Sequence, residues 1–495
     1  MLEPEICDVV LRGGRVIDPE SETDGLRDVG VIGNTIAAVS QAPLAGRRVV
    51  DVSGLVVCPG FIDLHSHGQQ IPVHRLQAMD GVTTTLELEA GAFPVALAYR
   101  RAAAQGRPLN YGYSVSWATT RMAALGLVDP NIPVEAFGAG LGDPAWQRPI
   151  STKTLARIIG SLSAELADGA LGIGILIGYA PLIDPGEYRA VAALAAEAGV
   201  PTYTHARELV ESDPHTLIDG PAEIVRAATE TGAHMHYCHI NSTSRRHIDR
   251  VRTLIEKARA AGARVSTEAY PYGAGSTTIG AAFLAPQNLH RLGMTPRSIV
   301  HARTGERIAD AARLAELRAT DPGALVVAEY FDETRLADQA YLERALTFDD
   351  TAIASDAMPL TWKTPGHDPM AWPLSGGATT HPRTAGTFAR ALRQLTRERH
   401  ALSLTEVVRR CTLLPAQTLQ QAVPAMRHKG RISVGHDADI TVFDPATVTD
   451  RATYLDGIRP STGIHHLLVN GTFVVHDGSI VTDALPGRPL RADPR

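Results

Sequence analysis

The chain has 495 residues and a formal net charge of −6 at pH 7, with 44% hydrophobic and 20% charged residues. This ordinary globular composition excludes an intrinsically disordered chain, and the length allows about three average domains or one large barrel with attachments. The acidic balance argues against a nucleic-acid-binding protein, which needs a basic face, and against a polybasic membrane-binding surface.

Cysteine usage indicates a reducing compartment. The four cysteines are Cys7, Cys58, Cys238 and Cys411, and they form no CxxC pair. We therefore expect no disulfide framework and a cytoplasmic location. The first residues lack the basic and apolar regions of a signal peptide, and the chain has no apolar run long enough for a membrane span, so we expect neither feature.

Both ends of the chain have the pattern of short strands. Residues 1–58 alternate β-branched runs with Gly and Asn turns. The same pattern returns at 438–444, a predicted strand, and at 466–475, a predicted hairpin around Asn470-Gly471. We predict one small β-sandwich domain built from residues 1–58 and 427–495.

The middle of the chain, residues 59–426, alternates apolar runs with stretches of helical period, the helical ones being 154–168, 187–198, 221–231 and 244–261. This alternation predicts βαβ units and an α/β fold with a parallel sheet. A doubly wound sheet fits the pattern too, but eight runs favour a TIM-like (β/α)8 barrel. The runs are 61–67, 82–89, 111–117, 170–177, 201–205, 234–239, 264–270 and 351–356.

The gap between the last two runs is too long for one helix and two loops. We predict an inserted subdomain after the seventh strand, at about residues 279–345, with 324–331 as a strand of its own.

Ionisable residues cluster at the ends of several predicted strands. Because the carboxyl ends of barrel strands converge on one mouth, His and carboxylate side chains there are typical of a metal site. Any one of them alone has a structural explanation, such as a helix cap for Asp356. We interpret His234 and His236, which differ in strand parity from His239, as structural. The other candidates are His65, His67, Glu87, Glu89, His205, His239 and Asp356.

Several motifs resemble a known family. Residues 59–67, PGFIDLHSH, resemble the first-strand motif of the amidohydrolase superfamily, and 430–440, GRISVGHDADI, resemble its return into the small β-domain. Within that superfamily the chain is similar to the D-aminoacylase family, the N-acyl-D-amino-acid deacylases, over about residues 8–490. The matching segments are 81–84, 169–172, 203–208, 270–272, 276–278, 355–356, 381–383 and 386–388.

The resemblance implies a hydrolase that uses one or two Zn²⁺ ions to cleave the amide of an N-acyl-D-amino acid. It implies that His65 and His67 hold one metal position, and that His205 and His239 hold the other. Asp356 would contact the metal and act as general base, then as general acid. It further implies that the substrate carboxylate is bound by Tyr270, Ser276 and Arg383.

The chain departs from the family at the bridging ligand. The family places a cysteine at the end of the second strand, where this chain has Ala90. We predict that Glu89 bridges the metals instead, with Glu87 as the alternative. A third possibility is a mononuclear site at His205 and His239.

A second departure concerns substrate charge. The family has a lysine two residues after His239, where this chain has Asn241. Either Lys363 replaces that lysine from a nearby loop, or the substrate carries less negative charge. Trp117 either lines the acyl pocket or is structural.

Two other functions compete with the deacylase prediction. Cyclic-amide or lactone hydrolases, such as the dihydroorotase and hydantoinase relatives, generally use a carboxylated lysine, and none of the lysines lies at the end of a core strand. A non-catalytic barrel subunit would lose metal ligands, whereas this chain keeps them. We expect a small-molecule substrate, and the sequence indicates no oligomeric state.

Overall fold

The computed structural model describes residues 6–129, 141, 144–363, 368, 370–374 and 377–493. Its central sheet has eight strands, each parallel to its neighbour in sequence. A bridge between Ser66 and Ala357 joins the first strand end to the last, which confirms the predicted barrel over an open doubly wound sheet. The barrel strands are Phe61–Asp63, Val82–Ala92, Asn110–Ser116, Ile173–Ile175, Pro201–Thr204, His234–Tyr237, Val265–Ala269 and Thr351–Ile353.

Local capping signals set the ends of several barrel helices. Asp184 and Asp219 accept hydrogen bonds from backbone amides of the helices that they begin, and a proline follows each within two residues. Gly199 and Gly232 end the same helices at φ 69° and 72°. The helices that follow barrel strands are Ile71–Ala78, Val95–Gln105, Trp117–Ala124, Thr152–Ala167, Pro185–Ala198, Gly220–Thr231, Ile240–Ser244, Ile248–Ala260, Arg383–Ala391, Leu404–Cys411 and Leu413–Leu419. In the described part of the chain, no helix combines the length and the apolar character needed to cross a membrane.

The second large sheet contains strands from both ends of the chain, as predicted. Val56–Pro59 pairs antiparallel with Ile440–Phe443, so the two segments share one sheet and one apolar core. The Asn470-Gly471 turn has φ values of 48° and 79°, as a two-residue hairpin requires. The nine strands are Cys7–Asp18, Thr23–Ile32, Thr35–Ser40, Gly46–Asp51, Val56–Pro59, Ile440–Phe443, Ile464–Val469, Thr472–His476 and Ser479–Ile480.

An inserted subdomain follows the seventh barrel strand, as predicted. It contains a three-stranded antiparallel sheet of Ala274–Thr278, Leu325–Glu329 and Ile299–His301. The helices Ala311–Thr320 and Leu336–Leu346 flank its middle strand in sequence. A short hairpin, Thr361–Trp362 with Ala378–Thr379, follows the last barrel strand.

Candidate metal centre

The barrel mouth brings the predicted metal ligands together. His65 and His67 follow the first strand, Glu89 lies in the second, and His205 directly follows the fifth. The potential ligand atoms within each of three groups lie within 4.8 Å of one another: His65, His67 and Glu89; Glu89, His205 and His239; and His65, His239 and Asp356. The structure therefore places all six residues at one centre.

Glu89 lies between two pairs of imidazoles. Its Oε2 is 3.4 Å from His65 Nε2 and 3.7 Å from His67 Nε2. Its Oε1 is 2.7 Å from His239 Nε2 and 3.3 Å from His205 Nδ1. Because each carboxylate oxygen faces a different pair, this side chain has the geometry of a bridge between two cation positions.

Asp356 also lies close to the first imidazole pair. Its Oδ1 is 3.5 Å from His65 Nε2, 3.4 Å from His67 Nε2 and 2.8 Å from Arg383 Nη2. Asp356 and His239 have φ values of 51° and 31°, in the left-handed region that costs about 1–3 kcal/mol for such residues. The packing of the site holds both in this conformation.

Three other polar side chains orient the histidines through the ring nitrogen that faces away from the centre. Glu87 Oε2 is 2.9 Å from His67 Nδ1, so the alternative bridging residue supports a ligand instead of facing both pairs. Glu268 Oε1 is 2.5 Å from His65 Nδ1, and Ser242 Oγ is 3.0 Å from His239 Nδ1. Such partners fix the ring orientation and tautomer of metal-binding histidines.

Sequence reasoning missed Glu268 and its partner. His236, which we interpreted as structural, places its Nε2 3.0 Å from Glu268 Oε2 and thereby supports the residue that holds His65. The available signal was an acidic residue inside a predicted buried strand, residues 264–270, where an unpaired carboxylate is costly.

The centre has the electrostatics of a cation site. Burial lowers the pKa of His67, but Glu87 and Asp356 raise it to about 9 overall. Burial raises the pKa of Glu89, yet His239, His65 and His205 hold it well below its ordinary value. Glu89 Oε1 and His205 Nδ1 are buried without a hydrogen-bond partner of good geometry in the described part of the chain. Four imidazoles, two carboxylates and unsatisfied donor atoms fit zinc.

A cavity of about 660 Å³, counting its open mouth, lies over the centre. Tyr270, Ser276 and Arg383 all line it, as do five of the six metal-ligand candidates. The Arg383 guanidinium lies 4.8 Å from the centre of the Tyr270 ring, and its Nε donates to the Asp356 carbonyl oxygen at 2.5 Å. Arg383 Nη1 is buried with no hydrogen-bond partner among the described residues, so it is available to an anion.

The remaining candidates lie away from this cavity. Asn241 is buried, donates from Nδ2 to Tyr330 Oη at 2.7 Å and accepts from the Tyr270 amide at 3.3 Å, so it orders two cavity residues without lining the cavity. Lys363 is exposed in the short hairpin and is not among the lining residues. Trp117 is fully buried and donates to Glu187 at 3.1 Å, which favours its structural explanation.

The sequence and the fold of this chain are similar to those of known proteins. The profile of the amidohydrolase family matches residues 48–475. The chain is 30% identical to N-acyl-D-glutamate deacylase of Alcaligenes xylosoxydans xylosoxydans, over 99% of this chain and 97% of that protein. It is 28% identical to D-aminoacylase of the same organism, over 94% and 93% of the two chains. A solved structure of D-aminoacylase, which has a binuclear metal centre, superposes with a TM-score of 0.76 at 26% identity, covering 98% of this chain and 100% of that one.

Proposed function

We propose, from the premise that this chain belongs to the amidohydrolase family, that it hydrolyses the amide bond of N-acyl-D-amino acids with two zinc ions. The observation that carries the proposal is the position of Glu89, whose two oxygens each face one histidine pair. His65 and His67 would hold one ion, and His205 and His239 the other. Zinc bound there supplies a Lewis acid and lowers the pKa of water to about 7.

Asp356 is the proposed proton carrier. Burial raises the pKa of this carboxyl, but Arg383 and the neighbouring histidines hold it below its ordinary value, so it is ionised and able to accept a proton. It takes a proton from the attacking water as general base. It then gives that proton to the amide nitrogen as the C–N bond breaks, which releases a D-amino acid and a carboxylic acid.

Arg383, Tyr270 and Ser276 form the proposed seat for the substrate carboxylate. The planar guanidinium of Arg383 is fixed by Asp356 on one side, while Nη1 has no partner among the described residues. A carboxylate bound there gains a charge-assisted hydrogen bond and orients the amide toward the metal centre. We propose that Asn241 acts indirectly, through Tyr270 and Tyr330, and we keep Lys363 as a prediction from sequence alone.

We also propose the division into domains and the location. The small β-domain would comprise residues 1–58 and 427–495, and the hydrolase domain residues 59–426 with an insertion at about 279–345. No disulfide joins the four buried cysteines in the described part of the chain, which supports the proposed cytoplasmic location.

The function is tested by metal analysis and a substrate panel. We expect about two zinc ions per chain and hydrolysis of N-acetyl- and N-formyl-D-amino acids but not of their L enantiomers. A preference for cyclic amides or lactones in the same panel would favour the competing hydrolase function. A chain that binds no zinc and is not activated by it would favour a non-catalytic barrel.

Replacing Asp356 tests its role separately. Asp356→Asn removes the proton acceptor but keeps the shape of the side chain, so we expect kcat to fall about 10²–10⁴-fold while zinc stays bound. The zinc content of the purified variant is the control. Near-normal hydrolysis by Asp356→Asn would show that another group carries the proton.

A further inference from the structure

Membership of the family does not specify which side chain the substrate carries. A pair of charged residues in the cavity bears on this question. Besides the pair of Arg383 with Asp356, a second pair lines the cavity, formed by Arg245 and Glu208. Arg245 Nη2 is 2.5 Å from Glu208 Oε2 and 3.0 Å from Ser212 Oγ. These side chains are largely shielded, with exposed fractions of 12% for Arg245 and 21% for Glu208.

The backbone fixes Arg245 firmly at this place. It ends the short helix Ile240–Ser244, which begins at the metal-ligand candidate His239, and it has φ 47° and ψ −123°. A residue with a side chain rarely adopts this conformation, so the surrounding contacts must hold it. Arg245 Nη1 also donates to the carbonyl oxygen of Ser242 at 3.3 Å.

The charge balance of the cavity follows from these contacts. Among the described lining residues, the cationic side chains other than histidine are Arg245 and Arg383. Both arginines are paired with a carboxylate, Arg383 with Asp356 and Arg245 with Glu208, but Arg383 Nη1 is buried with no hydrogen-bond partner among the described residues. The inserted subdomain adds an apolar wall of Phe283, Leu284, Leu292 and Met294. The cavity therefore has one free anion seat.

We propose that the Glu208–Arg245 pair is a specificity determinant that rejects N-acyl-D-amino acids with a second anionic group. The proposal rests on the proposed function, because it assumes that Arg383 binds the α-carboxylate. A side-chain carboxylate directed toward Arg245 meets the carboxylate of Glu208, and like charges at close range disfavour binding. Glu208 therefore repels a substrate with an anionic side chain and does not repel one whose side chain is neutral.

The test compares two substrates of nearly equal size that differ in one charge, N-acetyl-D-glutamate and N-acetyl-D-glutamine. Glu208→Gln keeps the shape of the side chain and leaves Arg245 uncompensated. We expect the ratio of kcat/KM for the glutamate over the glutamine substrate to rise at least about tenfold. Arg245→Gln should lower this ratio, since Glu208 then has no partner. The double variant should lose the gain.

The matched control is Glu211→Gln, which removes a nearby carboxylate that pairs with Arg250 at 2.8 Å and does not line the cavity. We expect it to leave the ratio unchanged. An unchanged ratio in Glu208→Gln, or a higher ratio in Arg245→Gln, would overturn the proposal. The two variants are expected to change the ratio of kcat/KM in opposite directions. If one of them does not fold, the other still tests the proposal.

Binding of both compounds to the zinc-loaded variants, measured by calorimetry, separates this proposal from the proposed function. A shifted affinity ratio without hydrolysis would support the pair as a charge filter and contradict the deacylase activity. Hydrolysis with an unshifted ratio would contradict only the filter.

Discussion

At the scale of single residues, the most informative change is at the proposed bridge. Glu89→Gln removes the negative charge that two imidazole pairs face, so we expect less zinc per chain after dialysis and at least about a 10²-fold lower kcat/KM. Glu87→Gln is the matched comparison, because the Glu87 carboxylate contacts the His67 ring at Nδ1. Normal zinc content in Glu89→Gln together with loss in Glu87→Gln would reverse their roles.

Glu268 offers a test of a positioning residue. Glu268→Gln leaves the fold of the strand but weakens the hold on His65 Nδ1, so we expect about 10–100-fold weaker zinc affinity. Competition with a chromogenic chelator measures that affinity independently of turnover. The exposed Glu256 supplies the control variant Glu256→Gln. Unaltered affinity in Glu268→Gln would assign the residue a purely structural role.

Sequence analysis identified Glu89 as a candidate ligand but missed Glu268. The ligand candidates follow strands whose ends converge, so the fold alone implies that they meet. Glu268 acts on His65 from a strand about two hundred positions away, and the Glu208–Arg245 contact depends on one unusual backbone conformation. Such contacts require side-chain geometry, which residue spacing does not contain.

At the scale of elements, Asp80 joins three segments of the fold. Its carboxylate accepts hydrogen bonds from the amides of Phe388 and Ala389 at 2.7 and 3.0 Å, and from Ser461 Oγ at 2.7 Å. Burial raises the pKa of Asp80 to about 8, while these hydrogen bonds oppose the rise and Asp450 adds to it. A buried acid that links segments in this way makes their packing sensitive to pH.

The contribution of Asp80 to the stability of the fold should decrease as the pH rises. Because the folded pKa lies above the ordinary value of 3.8, the contribution of Asp80 to stability is present below that value and is lost as the pH rises through about 8. Asp80→Asn stays neutral, so we expect the free energy of unfolding of the wild type to fall relative to this variant between about pH 4 and pH 8. Denaturant titrations at several pH values measure the difference. The same dependence of the free energy of unfolding on pH in both proteins would contradict this prediction.

The elements themselves were largely predictable. Each of the eight apolar runs overlaps a barrel strand, because parallel strands buried on both faces require continuous apolar sequence. The helix predicted over 187–198 is Pro185–Ala198, and its true start lies at the Asp184 cap. The predicted helix at 244–261 is instead divided, since the chain turns sharply at Arg245 before Ile248–Ala260 begins. The helical period of the sequence alone does not predict such a break.

At the scale of the whole molecule, the centre joins side chains from five barrel strands or their ends, so bound zinc should stabilise the fold. Free zinc at about 1,000 times its dissociation constant stabilises the folded state by about 4 kcal/mol. We expect a chelator to lower the melting temperature by several degrees and added zinc to restore it. The shift should be smaller in Glu89→Gln. An identical melting curve after complete zinc removal would contradict this coupling.

The pairing of Val56–Pro59 with Ile440–Phe443 sets the order in which the molecule can be completed during its synthesis. The partner strand leaves the ribosome some 380 residues later, which at about 5–20 residues per second is roughly 20–80 s. Throughout that interval the edge of Val56–Pro59 that pairs with Ile440–Phe443 has no native neighbour, so the nascent protein is exposed to aggregation at that edge until the partner strand emerges.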